Sequence, residues 1–227
     1  MIHKFLLPIT LSCFMSIQYT HAMSFDELEK NAQQGHVEAQ YHLAVMYDDG
    51  DEVAQDYAKA FEWYLKAAQQ GQVKAQYSVG SMFYHGDSVA QDYKKAFEWY
   101  IKAAQQGHVD AQYNLGVMYS NGEGVTQNVQ QAIKWYKQAI DQGDTDALYN
   151  LAVIYAKGTG IAQDDKKAFE LYQKAAEQGH ANAQYGLAWM YEHGKGIASN
   201  LNEAVKWYRQ AAEQGHDQAK IALDELE

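Results

Sequence analysis

The chain has 227 residues, 47% of them apolar, and its 18 basic and 29 acidic residues leave a net charge of −11. That apolar content excludes a disordered chain. The acidic balance argues against a nucleic-acid binder, which needs clustered Lys and Arg, and against docking on anionic membrane surfaces.

Residues 1–22 differ from the rest. Lys4 gives a short basic start, residues 5–17 are mostly apolar, and Thr20 and Ala22 place small residues at the two positions a signal peptidase reads. The pattern is that of a secretory signal peptide cut after Ala22. Its apolar run is shorter than the roughly 20 residues of a membrane span. Acylation of Cys13 as a lipoprotein is not expected, because Thr10-Leu11-Ser12 matches the usual leucine-led box poorly. Cleavage removes Cys13, the only cysteine, so the mature chain has no thiol or disulfide chemistry. It also removes Lys4 and leaves a net charge of −12. The expected destination is the periplasm or the outside of the cell, with no membrane insertion after cleavage. The mature chain is expected to be a monomer.

Ser24 and Glu27 read as a capping box opening a helix that runs to about Gln34. Segment 23–34 aligns with the second half of the repeat that follows, so it is expected to cap the N-terminal end. From Gly35 a 36-residue pattern recurs at Gly71, Gly107, Gly143 and Gly179 and starts again at Gly215. A fixed period of this length signals stacked helical repeats. The five repeats are 35–70, 71–106, 107–142, 143–178 and 179–214, and segment 215–227 is expected to cap the C-terminal end.

In each repeat a first helix places Ala39, Leu43, Met46 and Tyr47, or their equivalents, on one apolar face. Gly50, Gly86, Gly122, Gly158 and Gly194 stop it in the left-handed conformation. Asp56, Asp92, Asn128, Asp164 and Asn200 are placed to cap a second helix over about residues 57–69 and their equivalents. Its inner face carries Ala60, Phe61, Tyr64 and Ala67, with Trp63, Trp99, Trp135 and Trp207 adding bulk. Glu62/Lys66, Glu98/Lys102 and Glu170/Lys174 are ion-pair candidates four residues apart on the outer face.

The run from Ala111 and Tyr113 through Leu115, Gly116, Tyr119, Gly122, Gly124 and Val125 to Asn128, Ala132, Trp135, Tyr136, Ala139 and Gly143 closely resembles the Sel-1-like repeat, a relative of the tetratricopeptide repeat. The resemblance covers nearly all of residues 24–227. It implies an all-α fold, a right-handed α/α superhelix (solenoid) of helix-turn-helix repeats. It also implies an adaptor for protein complexes, often in bacterial envelopes or at host contact. One departure is that Glu52 and Ser88 replace the second loop glycine of the later repeats (Gly124, Gly160, Gly196). Those two loops are expected to be bent differently or strained.

On the first helices a second, narrow stripe varies between repeats while the structural positions hold. It contains Glu38, His42, Val45 and Asp49; then Lys74, Ser78, Ser81 and His85; Asp110, Asn114, Val117 and Asn121; Asp146, Asn150, Val153 and Lys157; Asn182, Gly186, Trp189 and His193. Variation on a fixed scaffold is what a binding surface requires and also what an unconstrained surface shows. The candidates for holding a protein or peptide partner are His42, Val45, Ser78, His85, Asn114, Val117, Asn150, Val153, Trp189 and His193. Trp189 is either an exposed anchor or packs on Tyr185 or the last helix. Asn114 and Asn150 either grip a peptide backbone or bond to nearby loops. His36, His108, His180 and His216 share one turn position, too far apart between repeats for one metal ion. They read as exposed turn histidines.

No metal or cofactor is expected, and the function expected is binding without catalysis. The alternative is a cell-wall-related enzyme or ligand binder, because some cysteine-rich members of the family carry a β-lactamase or penicillin-binding label. Their paired cysteines are missing here, and no serine stands next to a suitable base.

Overall fold

A computed structural model describes residues 24–226. The signal segment 1–22 and the cleavage site after Ala22 lie outside the described residues. Among the described residues twelve helices run in order: α1 (Phe25–Gln33), α2 (Val37–Asp49), α3 (Tyr57–Gln69), α4 (Val73–His85), α5 (Tyr93–Gln105), α6 (Val109–Asn121), α7 (Val129–Asp141), α8 (Thr145–Lys157), α9 (Asp165–Glu177), α10 (Ala181–His193), α11 (Leu201–Glu213) and α12 (Asp217–Leu226). Among the described residues there is no strand. The helices fall into two compact units, one within residues 1–103 and one within 104–227.

Local chemistry sets the helix ends. Ser24 Oγ accepts from the Glu27 amide at 3.3 Å and starts α1. Asp56, Asp92, Asn128, Asp164 and Asn200 each accept from the amide three residues on, at 2.9–3.2 Å, and start the second helix of every repeat. The first helices are also capped. Gln72, Asp144, His108, His180 and His216 accept from the amide three residues on at 2.6–3.4 Å, the histidines through Nδ1. This corrects the reading of His108, His180 and His216 as merely exposed, while His36 makes no such bond and is exposed as expected. His108 and His180 leave only 16% and 13% of their side chains exposed. A ring nitrogen that accepts from a helix amide must carry no proton there.

In the first unit each helix packs on its chain neighbour from α1 to α4; in the second the same holds from α6 to α12. Alanine lets the helices close up: Ala39, Ala60, Ala75, Ala111, Ala132 and Ala168 are fully buried. Tyrosine fills the space beside them, with Tyr64, Tyr100, Tyr136 and Tyr208 at most 3% exposed. The tryptophans depart from expectation. Trp135 is buried, but Trp63, Trp99 and Trp207 are only half-buried at the cluster edge. Lys66 and Lys102 lay their ammonium groups 3.7 Å from the Trp63 and Trp99 ring centroids, so these side chains share one surface with the expected partners of Glu62 and Glu98.

The buried polar residues Gln40, Gln76, Gln112 and Gln184 make a recurring joint. Each Nε2 donates to a carbonyl in the last turn of the preceding helix: Ala32, Ala68, Ala104 or Ala176, at 3.1–3.2 Å. Gln40, Gln112 and Gln184 also accept through Oε1 from Gln70, Gln142 and Gln214 at 2.7–2.8 Å. The fourth repeat has Leu148 instead, 4% exposed, and there Thr145 Oγ1 donates to Gln178 Oε1 at 2.6 Å.

The two loops that lack the second glycine keep the same backbone. Glu52 and Ser88 both hold φ at 60°, beside 68°, 73° and 71° at Gly124, Gly160 and Gly196. They are therefore strained rather than rebuilt. At Gly196 the fold also demands the missing side chain, because a Cβ would collide with the Asp165 carbonyl.

Two stability changes follow. Glu52→Gly with Ser88→Gly removes two left-handed non-glycine residues and should raise stability by about 0.5–1 kcal/mol per site. A thermal melt no higher than wild type would show the strain to be absent. Gln112→Ala leaves the Gln142 amide without its buried partner and should cost about 1–3 kcal/mol. Denaturant unfolding with an unchanged midpoint would refute the joint.

Candidate functional site

In the first unit the stripe is mixed in character. Val45 packs on the core cluster and is only half-buried. His42 is half-buried and edge-on to Tyr41, with ring centroids 5.5 Å apart. Burial lowers its pKa from the ordinary histidine value; Glu38 opposes the shift and Lys74 adds to it. His85 is exposed, edge-on to Tyr84 at 5.1 Å. Ser78 lines a cleft of about 350 Å³ together with Ser81, Tyr64, Asp48 and Asp87. Tyr64 donates its hydroxyl to Asp48 Oδ2 at 3.0 Å across that cleft. Burial holds the Asp48 carboxyl above its usual range against the opposing pull of the Tyr64 hydrogen bond, with Asp49 and Asp87 adding to the rise. Tyr64 and Asp48 here already satisfy each other.

In the second unit Val117 and Val153 pack against core clusters. Asn114 is half-buried. Asn150 is committed to a neighbouring helix, donating from Nδ2 to the Tyr113 hydroxyl at 3.1 Å, not to a loop. Trp189 and His193 belong together. Their rings stack with centroids 4.4 Å apart and 22° between planes, and His193 Nδ1 lies 3.0 Å from the Trp189 carbonyl oxygen. Trp189 is 40% exposed.

Trp189 forms one wall of a cleft of about 420 Å³ between α8, α9 and α10. That volume lies within the roughly 300–1,000 Å³ of typical ligand pockets. Tyr149, Tyr172 and Tyr185 add ring surface, and Val153 and Met190 add aliphatic surface. Burial, with Tyr149 adding to it, pushes the Tyr172 phenol well above the ordinary tyrosine range, so it remains a donor. Among the described residues its hydroxyl has no hydrogen-bond partner. Lys157 and Lys195 stand at the cleft.

Two small residues open this space. Position 156 is Ala here, where sister repeats carry Asp48, Tyr84, Ser120 and Glu192. In the fifth repeat Glu192 Oε2 receives the Tyr208 hydroxyl at 2.6 Å, the contact that Ala156 denies to Tyr172. Position 186 is Gly, where the others carry His42, Ser78, Asn114 and Asn150. A Cβ at Gly186 would come within 3.1 Å of the Tyr172 ring. The stripe predicted from the sequence includes Lys157, Gly186, Trp189 and His193, but it misses Ala156, Tyr172 and Lys195. Ala156 and Lys195 were signalled as departures from the repeat at positions outside the stripe, whereas Tyr172 is the same in every repeat and carried no signal of its own.

The sequence pattern described as Sel1 repeat matches residues 37–72, 73–108, 109–144, 145–180 and 181–216, two residues later in phase than the glycine frame. Among curated protein sequences none matches the chain. Of solved structures, c5321, a protective antigen present in uropathogenic Escherichia coli strains and displaying an SLR fold, is 35% identical with a TM-score of 0.83. The match covers 87% of this chain but only 42% of that one. A Sel1 repeat protein from Oxalobacter formigenes is 31% identical over 93% of this chain and 84% of that one, with a TM-score of 0.80. A putative Sel1 repeat protein from Klebsiella pneumoniae is 27% identical over 88% and 97%, with a TM-score of 0.54. The fold class expected from the repeat, an all-α solenoid of helix-turn-helix repeats, is the one these structures share. Sel1 repeat proteins in general are helical scaffolds that mediate protein–protein interactions. By five consecutive matches and by these structural relatives, the chain belongs to the Sel1 repeat family.

Proposed function

We propose that the chain is an exported scaffold that holds a segment of a protein partner in the cleft between α8, α9 and α10 and performs no catalysis. The observation that carries this reading is Trp189. A tryptophan 40% exposed beside an open aromatic cleft, with its ring held by His193, is an anchor already arranged for contact. Rings, amides and ammonium groups line the space, which suits holding a segment rather than reacting with it. Export rests on the signal pattern of residues 1–22 and agrees with the E. coli relative being a protective antigen.

Trp189→Ala should weaken capture of a protein from a cell-envelope extract by about tenfold or more while leaving the thermal melt close to wild type. A loss of several kcal/mol of stability, as when a core site is emptied, would make Trp189 structural and end the reading. For export, intact mass of the chain recovered outside the cytoplasm should correspond to a start at Met23. Recovery of the uncut chain in the cytoplasm would refute it.

A further inference from the structure

The cleft of the second unit and the cleft of the first occupy the same repeat positions, 108 residues apart, with different chemistry. Tyr64 and Tyr172 correspond, as do Tyr77 and Tyr185. Asp48 becomes Ala156, Ser78 becomes Gly186, Ser81 becomes Trp189 and Asp87 becomes Lys195. The lining thus changes from carboxylates and hydroxyls, with Tyr64 bonded to Asp48, to rings, free space and cations.

Charge says what fills it. The position of Lys195 carries Asp51, Asp87, Glu123 and Thr159 in the other repeats, and that of Lys157 carries Asp49, His85, Asn121 and His193. In a chain of net charge −11, two lysines converge on this cleft. Among the described residues neither side chain has an ion-pair or hydrogen-bond partner. Asp165 is the lone carboxylate in the lining, and the Gln163 amide donates to it at 2.7 Å.

We propose that the cleft takes an acidic peptide segment bearing an aromatic side chain. The aromatic ring enters the space left by Ala156 and Gly186, against Trp189 and within reach of the Tyr172 hydroxyl. Flanking carboxylates face Lys157 and Lys195. Steering by complementary charge adds specificity that the rings alone lack. This specificity rests on the docking reading above and adds the chemistry of the partner to it.

The test is fluorescence polarisation of the mature chain with three labelled hexapeptides: one alternating Glu with Phe and Trp, one with Lys in place of Glu, and one with Ala in place of the rings. The acidic aromatic peptide should bind best. Lys157→Glu with Lys195→Glu, which places at both sites the charge sister repeats tolerate, should weaken it about tenfold or more and strengthen the basic peptide. Ala156→Glu, which restores the pair seen between Tyr208 and Glu192, should also cost the acidic peptide about tenfold. The proposal is overturned if the basic peptide binds wild type as tightly, or if the charge reversal changes nothing. It is likewise overturned if no peptide binds, or if sedimentation shows a dimer that Trp189→Ala dissolves, making a second copy the occupant. In each case Trp189-dependent capture of a partner, measured separately, tells whether the docking reading survives.

Discussion

A hydrogen bond from a buried glutamine to the last turn of the preceding helix is the contact on which the rest of the packing depends. The carbonyls of Ala32, Ala68, Ala104 and Ala176 each accept one bond from a turn glycine amide and a second from Gln40, Gln76, Gln112 or Gln184. A buried amide left without a partner is costly, so each glutamine holds the first helix of a repeat in one position on the helix before it. The alanines allow close approach in many arrangements; the amide selects one. Where Leu148 replaces the glutamine, the fourth repeat keeps only a bond to the helix that follows, from Thr145 to Gln178, and buries Leu148 in place of the amide.

That joint lets other positions vary. Once the helix pairs are set, position 156 can be an acid, a ring, a hydroxyl or a methyl without loss of the stack. The Tyr at the buried position of the second helix is constant, and its hydroxyl records what the neighbour offers. It meets Asp48 in the first repeat and Glu192 in the fifth, and finds nothing in the fourth. The candidate site is a place where, among the described residues, a constant hydroxyl has no protein hydrogen-bond partner, next to an exposed tryptophan. An interaction scaffold needs such local differences, because everything else in it is the same five times over.

Much of the fold was legible without coordinates. Alternation of small and aromatic residues, five Asp or Asn caps and five stop glycines mark every helix to within a residue or so. The missed items have a common cause. Gln40 and its equivalents are polar and were not counted as core, since hydrophobic periodicity is blind to a buried amide that is fully bonded. Three of the turn histidines, His108, His180 and His216, were assigned to solvent because an imidazole is an unusual helix cap. The outward placement of Trp63 and Trp99 follows from lysine stems and rings sharing a surface, which a wheel of one isolated helix does not show.

The sequence by itself determined the repeat, the helices and their ends, because those depend on neighbours within a few residues along the chain. It also marked Trp189 as unusual, by comparison with Val45, Ser81, Val117 and Val153. Only the tertiary structure decided that Trp189 is exposed, that it stacks on His193, and that Ala156, Tyr172, Gly186 and Lys195 meet at one cleft. These residues come from three helices and a loop. Which of them touch is set by how the helices pack, and contacts between residues this far apart along the chain leave no trace in the pattern of any one helix.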